Sequence, residues 1–311
     1  MVYNLSMIKP LSWIFSAILV ALFLAGCSPE AANESKSEAN TLKVVATTGM
    51  VADMVRAVGG EFVEVTTLMG PGVDPHLYKA TPKDIRTITE ADLVVVNGLH
   101  LEGKLIESLR PLEKEGRLFE LAKEIEIKGS ALSKDDAPDP HVWMDSTLWG
   151  TLAPRLATFV GEKRPAQADI FAANAKKYEA ELNTLTEELK KQLAGIPKKR
   201  RVLITAHDAF QYFGKRFDIE VDAIQGLSTE SEAGLKDVTR LITKITDRKI
   251  KAVFIESTLS PKNIEALREG TKARGFPIAL GGELYADAMP PGKTYSEMMR
   301  LNVNTIVQAL K

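Results

Sequence analysis

Phe171-Ala-Ala-Asn-Ala-Lys-Lys-Tyr178-Glu-Ala-Glu-Leu182-Asn-Thr-Leu185-Thr-Glu-Glu-Leu189-Lys-Lys-Gln-Leu193 carries bulky apolar residues spaced seven, four, three, four and four. That spacing lays them along one stripe of an α-helix. Pro165 suits the first turn, and Gly195 with Pro197 makes a stop, so a helix is predicted over 165–194. About thirty residues at roughly 1.5 Å each make a rod of about 45 Å, longer than one domain needs. Such a rod lies along two domains or joins them. The alternative is a coiled-coil dimer, for which the stripe is too short and uneven to set heptads.

On both sides of this rod the chain alternates between strand and helix. Before it, strands are predicted at 42–48, 62–68, 92–97 and 117–122, with helices at 50–58, 82–90 and 101–110. After it, strands fall at 201–206, 218–224, 251–256 and 277–280, with Gly281-Gly282 turning the chain away from the last. Helices follow from His207 to about Phe217, then at 230–247, 261–274 and 295–310. Strands that alternate with helices make parallel sheets the expected solution. The fold class is therefore α/β, in two lobes of similar length (41–164 and 196–311) joined by the helix at 165–195.

The 311 residues suffice for two sizeable cores. Forty basic residues against 41 acidic ones, with sparse aromatics, argue against nucleic-acid binding. Leu11 to Leu24 is a continuous apolar run preceded by Lys9, and it ends in Leu24-Ala25-Gly26-Cys27. Roughly fourteen apolar residues are too few to span a bilayer, which takes about 20. They suit the core of an export signal over 1–26, with Met7 as an alternative start. The ending resembles a bacterial lipobox, which would make Cys27 the lipidated first residue of the mature protein. The plainer alternative is an ordinary signal peptide with a chance cysteine. Cys27 is the sole cysteine, so no disulfide claims it. Residues 27–40, rich in Ser, Ala, Glu and Asn, read as a flexible tether to the membrane.

The chemistry gathers on the histidines, of which there are four: His76, His100, His141 and His207. Two share one unusual turn, Asp74-Pro75-His76 and Asp139-Pro140-His141. Proline fixes its own backbone angle and restricts its predecessor, so each histidine sits on a stiff non-helical turn with a set direction. That suits a metal ligand. In open parallel sheets ligands bind beyond the carboxyl ends of the strands. His76, His141, His207 (directly after a strand) and Asp287 (in the loop after the last strand) meet that test. Three imidazoles and a carboxylate make a plausible set for Zn²⁺ or Mn²⁺ in the cleft between lobes. For the fourth place Glu283 and Asp208 compete with Asp287. His100 lacks the stiff turn and is left as a surface residue or an outer neighbour of the site. Glu256 ends an apolar strand. It is a general base if the chain is an enzyme, and otherwise a carboxylate bonded to loop amides. No phosphate-binding loop, dinucleotide fingerprint, His-Glu-x-x-His helix or Gly-x-Ser-x-Gly elbow is present.

Gly70-Pro-Gly-Val-Asp-Pro-His-Leu-Tyr78, Asp139-Pro-His-Val-Trp143, Thr205-Ala-His-Asp-Ala-Phe210 and Gly281-Gly-Glu-Leu-Tyr-Ala-Asp287 together resemble the metal-binding solute receptors of ABC importers, most closely the TroA-type zinc/manganese group. The resemblance implies two lobes, each a mainly parallel four-stranded sheet flanked by helices, joined by one long rigid helix with limited hinge motion. It implies His76, His141, His207 and Asp287 as ligands, His100 as none, a membrane permease and its cytoplasmic ATPase as partners, and several acyl chains on Cys27. The expectation is a monomeric, lipid-anchored receptor facing the periplasm or the cell exterior, not an enzyme. Manganese-favouring members often carry a glutamate where this chain has His207, and a third imidazole tilts toward zinc. The histidine-rich loop common in dedicated zinc receptors is absent, since 123–139 holds Asp135-Asp136 but no histidine. Two rivals remain open. One is a zinc hydrolase using Glu256 as base, revealed by turnover. The other is a surface adhesin or scaffold with a structural metal, revealed by unfolding when the metal is removed.

Overall fold

A computed structural model describes residues 41–123, 125 and 138–311. The export signal, Cys27, the tether and the Asp135-Asp136 stretch lie outside the described residues.

The first half is built from β1 (Leu42–Ala46), α1 (Gly49–Gly59), β2 (Val63–Thr67), α2 (Pro82–Glu90), β3 (Leu93–Val96), α3 (Leu105–Lys114) and β4 (Leu118–Glu120). Its strands form one parallel sheet in the order β2-β1-β3-β4. All four residues of β3 are buried, which is why its sequence reads as an unbroken apolar run. Thr81 and Asp84 cap α2 reciprocally with Pro82 at its first turn, so its start follows from sequence. The helix expected from residue 101 begins only at Leu105. Leu99, His100 and Gly103 have φ of 54°, 66° and 46°, and a chain in that left-handed region cannot propagate an α-helix.

Residues 146–163, to which the sequence reading assigns no element, form α4 (Ser146–Gly150) and α5 (Ala153–Lys163). The long helix is α6 (Ala168–Leu193), 26 residues with Phe171, Tyr178, Leu182, Leu185, Leu189 and Leu193 all buried. Pro165 sits just before it, in a short 3-10 turn over Pro165–Gln167.

The second half contains β5 (Val202–Thr205), α7 (Gln211–Phe217), β6 (Glu220–Ala223), α8 (Leu235–Arg248), β7 (Ala252–Glu256), α9 (Lys262–Ala273), β8 (Ala279–Leu284) and α10 (Tyr295–Leu310). Its four strands are also parallel in their ladders, but they pair as β5-β6 and β7-β8, with β5 packed beside β7. Gly281-Gly282 does not end β8, which runs through both. A Cβ on Gly281 would stand 2.5 Å from the Phe254 ring, Gly282 has φ of 127°, and the ladder shifts register between Val253 and Phe254. The glycines serve a bulge against a close neighbour rather than a turn.

α6 packs on α1, α4 and α5 from one side of the chain and on α10 from the other. Its stripe belongs to a single apolar cluster that includes Val44 of β1, Leu185 of α6, Phe213 of α7 and Met299 of α10. The helix therefore welds the two halves together by burial instead of standing free between them.

Candidate metal centre

Both Asp-Pro-His tripeptides close the same local ring. Asp74 Oδ1 accepts the amide of His76 at 2.9 Å, and Asp139 Oδ1 accepts that of His141 at 2.9 Å. An aspartate that bonds the backbone two residues on is a turn in itself, and the intervening proline stiffens it. The repeat noticed in the sequence is thus a repeat of geometry. Asn97, at the end of β3, donates its side-chain amide to Pro140 O at 3.0 Å and fixes where the second turn lies.

His207 follows β5 by two residues. Glu256, the last residue of β7, accepts the amides of Ala206 and His207 on Oε1 at 2.8 and 2.9 Å, and its Oε2 lies 2.6 Å from His207 Nδ1. Asp287 follows β8. Asn302 on α10 grips Tyr285 at both backbone groups, each at 2.8 Å, and Trp143 Nε1 donates to Ala286 O at 2.9 Å. The two residues before Asp287 are therefore held from two directions.

The four side chains converge. One ligand atom from each of His76, His141, His207 and Asp287 lies within 4.8 Å of the others, and all four residues are buried. Asp287 Oδ2 is 3.4 Å from His76 Nε2 and 3.1 Å from His207 Nε2, while Oδ1 is 3.4 Å from His141 Nε2. Yet none of the three Nε2 atoms, nor either Asp287 oxygen, has a hydrogen-bond partner. Five polar atoms buried together without hydrogen bonds are costly unless something charged satisfies them. Their convergence within 4.8 Å of one another is the arrangement of a coordination shell.

Outer carboxylates set the rings. Asp139 Oδ1 sits 2.7 Å from His141 Nδ1, as Glu256 does at His207. A carboxylate on Nδ1 places the ring proton there and leaves Nε2 as a lone-pair donor. Burial works against a charged His207, but Glu256 and Asp287 outweigh it and hold its pKa well above the ordinary imidazole range. Burial likewise opposes ionised Asp287, but His207 and His141 hold its carboxyl well below the carboxylate range. Both shifts favour positive charge among these side chains, which is what a bound cation would supply.

The model of the family "zinc-uptake complex component A, periplasmic" matches residues 44–309. The chain belongs to that family. Among its relatives is the manganese-binding lipoprotein MntA of Bacillus subtilis, 42% identical over 304 residues, covering 96% of this chain and 99% of that protein. Another is the zinc-binding protein TroA of Treponema pallidum, 40% identical over 272 residues, covering 86% and 88%. The solved structure of TroA superposes with a TM-score of 0.83 at 39% identity, covering 87% of this chain and 99% of that one. The Fe(III)-bound YtgA of Chlamydia trachomatis gives 0.79 at 27% identity, covering 87% and 98%.

In this family member the sequence singles out the four residues that meet, and it leaves His100 outside: that side chain is exposed. Glu283 and Asp208, the competing carboxylates, are not in the cluster. Glu256 is the amide-bonded strand-end carboxylate, with an added bond to a ring. Glu102 went unnoticed in the sequence. Fully buried, it accepts from Thr47 Oγ1 at 2.8 Å and from the amides of Asn97 and Gly98 at 2.7 and 3.1 Å. Burial raises its pKa. It holds the end of β3 much as Glu256 holds the end of β5. The one sequence signal for it was an isolated carboxylate directly after an apolar residue, Leu101-Glu102, at a strand-to-helix crossing.

Proposed function

We propose that this chain is the extracytoplasmic receptor of an ABC importer. It captures one divalent transition-metal ion between His76, His141, His207 and Asp287 and delivers it to a membrane permease driven by a cytoplasmic ATPase. The observation that carries the reading is the convergence of four buried ligand atoms, one from each of four segments, with their hydrogen-bonding capacity unspent. Relatives named for manganese, zinc and iron binding support it. The halves are two lobes, 41–164 and 196–311, with 165–195 between them. Residues 1–26 are the export signal, Cys27 carries the lipid, and 27–40 tether a monomeric receptor to the membrane.

Three imidazoles and one carboxylate hold zinc more tightly than manganese, following the softness of the ligands and the general affinity order of divalent ions. Four protein ligands leave no open coordination position, and Glu256 holds two amides on Oε1 and sets Oε2 2.6 Å from a ligand's ring, so the site lacks a place for substrate and a base turned toward one. A receptor, not a hydrolase, is the reading this favours.

Metal analysis of the purified protein, with competitive Zn²⁺ and Mn²⁺ titration beside His207→Ala, tests the site. The expected result is one ion per chain, lost or greatly weakened in the variant. Binding indifferent to His207 would end the cleft assignment.

A further inference from the structure

The two Asp-Pro-His turns share a backbone ring but differ in how they are anchored. The turn of His141 is locked from several sides: its aspartate bonds the ring of its own histidine, Asn97 holds Pro140 O, and Tyr212 Oη donates to Asp139 O at 3.1 Å. The turn of His76 is tied differently. Asp74 Oδ2 accepts the hydroxyl of Thr229 at 2.7 Å, across 155 residues of chain.

Thr229 lies on the loop that leads from β6 to α8, and this loop is pinned to the segment carrying His207. Gln225 N donates to Ala206 O at 2.9 Å and Asp208 N to Gly226 O at 3.2 Å. The bond from Thr229 to Asp74 therefore links the mounts of two ligands from opposite halves. His76 is also the ligand nearest to solvent, at 4% exposure, and the next residue, Leu77, is 52% exposed. Gly103 lies close to the turn: a Cβ there would stand 2.6 Å from His76 O. Its nearness to solvent makes His76 the ligand with the shortest way out.

We propose that Thr229 and Asp74 form a clasp that keeps His76 in the site, and that its opening sets the rate at which the ion leaves. Thr229 is a positioning residue, acting on His76 through Asp74. His76 is the last ligand to bind and the first to let go, while His141, His207 and Asp287 stay in place. The inference rests on the reading of these residues as a metal site.

Release of Zn²⁺ from the full-length protein into excess chromogenic chelator, followed by stopped flow, tests it in wild type, Thr229→Val and Thr229→Ser. Removing one hydrogen bond to a charged group should speed release roughly tenfold in the valine variant. Serine keeps the hydroxyl and should restore the wild-type rate. A merely structural role would lower the stability of both variants and would not follow the hydroxyl. Release from Thr229→Val at the wild-type rate, or from Thr229→Ser as fast as from the valine variant, would overturn the clasp. A wild-type protein that retains no Zn²⁺ would overturn the receptor reading itself, before any variant is compared.

Discussion

His207 Nδ1 lies 2.6 Å from Glu256 Oε2, and the other oxygen of the same carboxylate accepts the amide of His207 itself. One side chain thus fixes both the backbone and the ring of a ligand. Glu256→Gln preserves the shape and can keep an oxygen on the two amides. Its NH₂ would then face Nδ1 and force that nitrogen to accept, moving the ring proton onto Nε2, the atom aimed at the site. Loss of such an outer partner typically costs about 10–100-fold in metal affinity. Competitive zinc titration of Glu256→Gln should show a loss of that size with an unchanged unfolding midpoint. Unaltered affinity would reduce Glu256 to a cap on the backbone.

Metal capture should be proton-linked. The His207 pKa stands well above the usual imidazole range, chiefly against burial and because of Glu256 and Asp287, so without an ion the ring holds its proton through neutral pH. Binding must expel that proton, and so affinity rises with pH and falls as the medium acidifies. One expelled proton corresponds to about a tenfold change per pH unit. Calorimetry in two buffers of different protonation enthalpy should count about one proton released per ion near pH 7. Heats that do not depend on the buffer would contradict the charge state assigned to His207.

Much of this was legible in the sequence, and the exceptions share a cause. The stripe from Phe171 to Leu193 gave α6 because its burial is a local periodic pattern. The paired Asp-Pro-His turns gave two ligands because stiffness is encoded within three residues. What sequence could not supply depends on partners far along the chain. Thr229 on Asp74, Trp143 on Ala286 and Tyr212 on Asp139 are each separated by at least 73 residues, and no local pattern announces the pairing. The start of α3 was misplaced because two non-glycine residues, Leu99 and His100, adopt positive φ that their types do not announce. Glycines 281 and 282 look like a turn, but they answer to Phe254 packed across from them.

Asn302 turns both ends of its amide to Tyr285, accepting its N–H on Oδ1 and donating from Nδ2 to its carbonyl, at 2.8 Å each. It acts as a short extra strand at the end of β8, two residues before Asp287. Asn302→Leu leaves a backbone N–H and a C=O without partners in a place where Asn302 itself is 1% exposed. At about 1–3 kcal/mol for each of the two unsatisfied groups, the expected loss is about 2–6 kcal/mol. Denaturant unfolding would measure it. Zinc affinity should fall in the same variant, since the strand end that aims Asp287 is loosened. A full loss of stability with no change in affinity would show that Trp143 alone suffices to aim the carboxylate.

The protein should stay folded when stripped of metal, and this separates a receptor from a scaffold that uses metal as a staple. The apolar cluster shared by both halves and α6 contains none of the four ligands. The halves are also joined without the four ligands by Arg216 on Asp145 at 2.7 Å and by Tyr295 Oη on Trp143 O at 2.6 Å. A core of that extent does not need the ion in order to close. Chelator-treated protein should therefore keep its far-UV circular dichroism and melt cooperatively. Adding zinc should raise the melting temperature by mass action alone, by about 2.7 kcal/mol of added stability at a free concentration 100 times the dissociation constant. Collapse of the spectrum on chelation would instead make the ion part of the fold, as in small zinc domains that are unfolded without it. That outcome would favour the adhesin or scaffold.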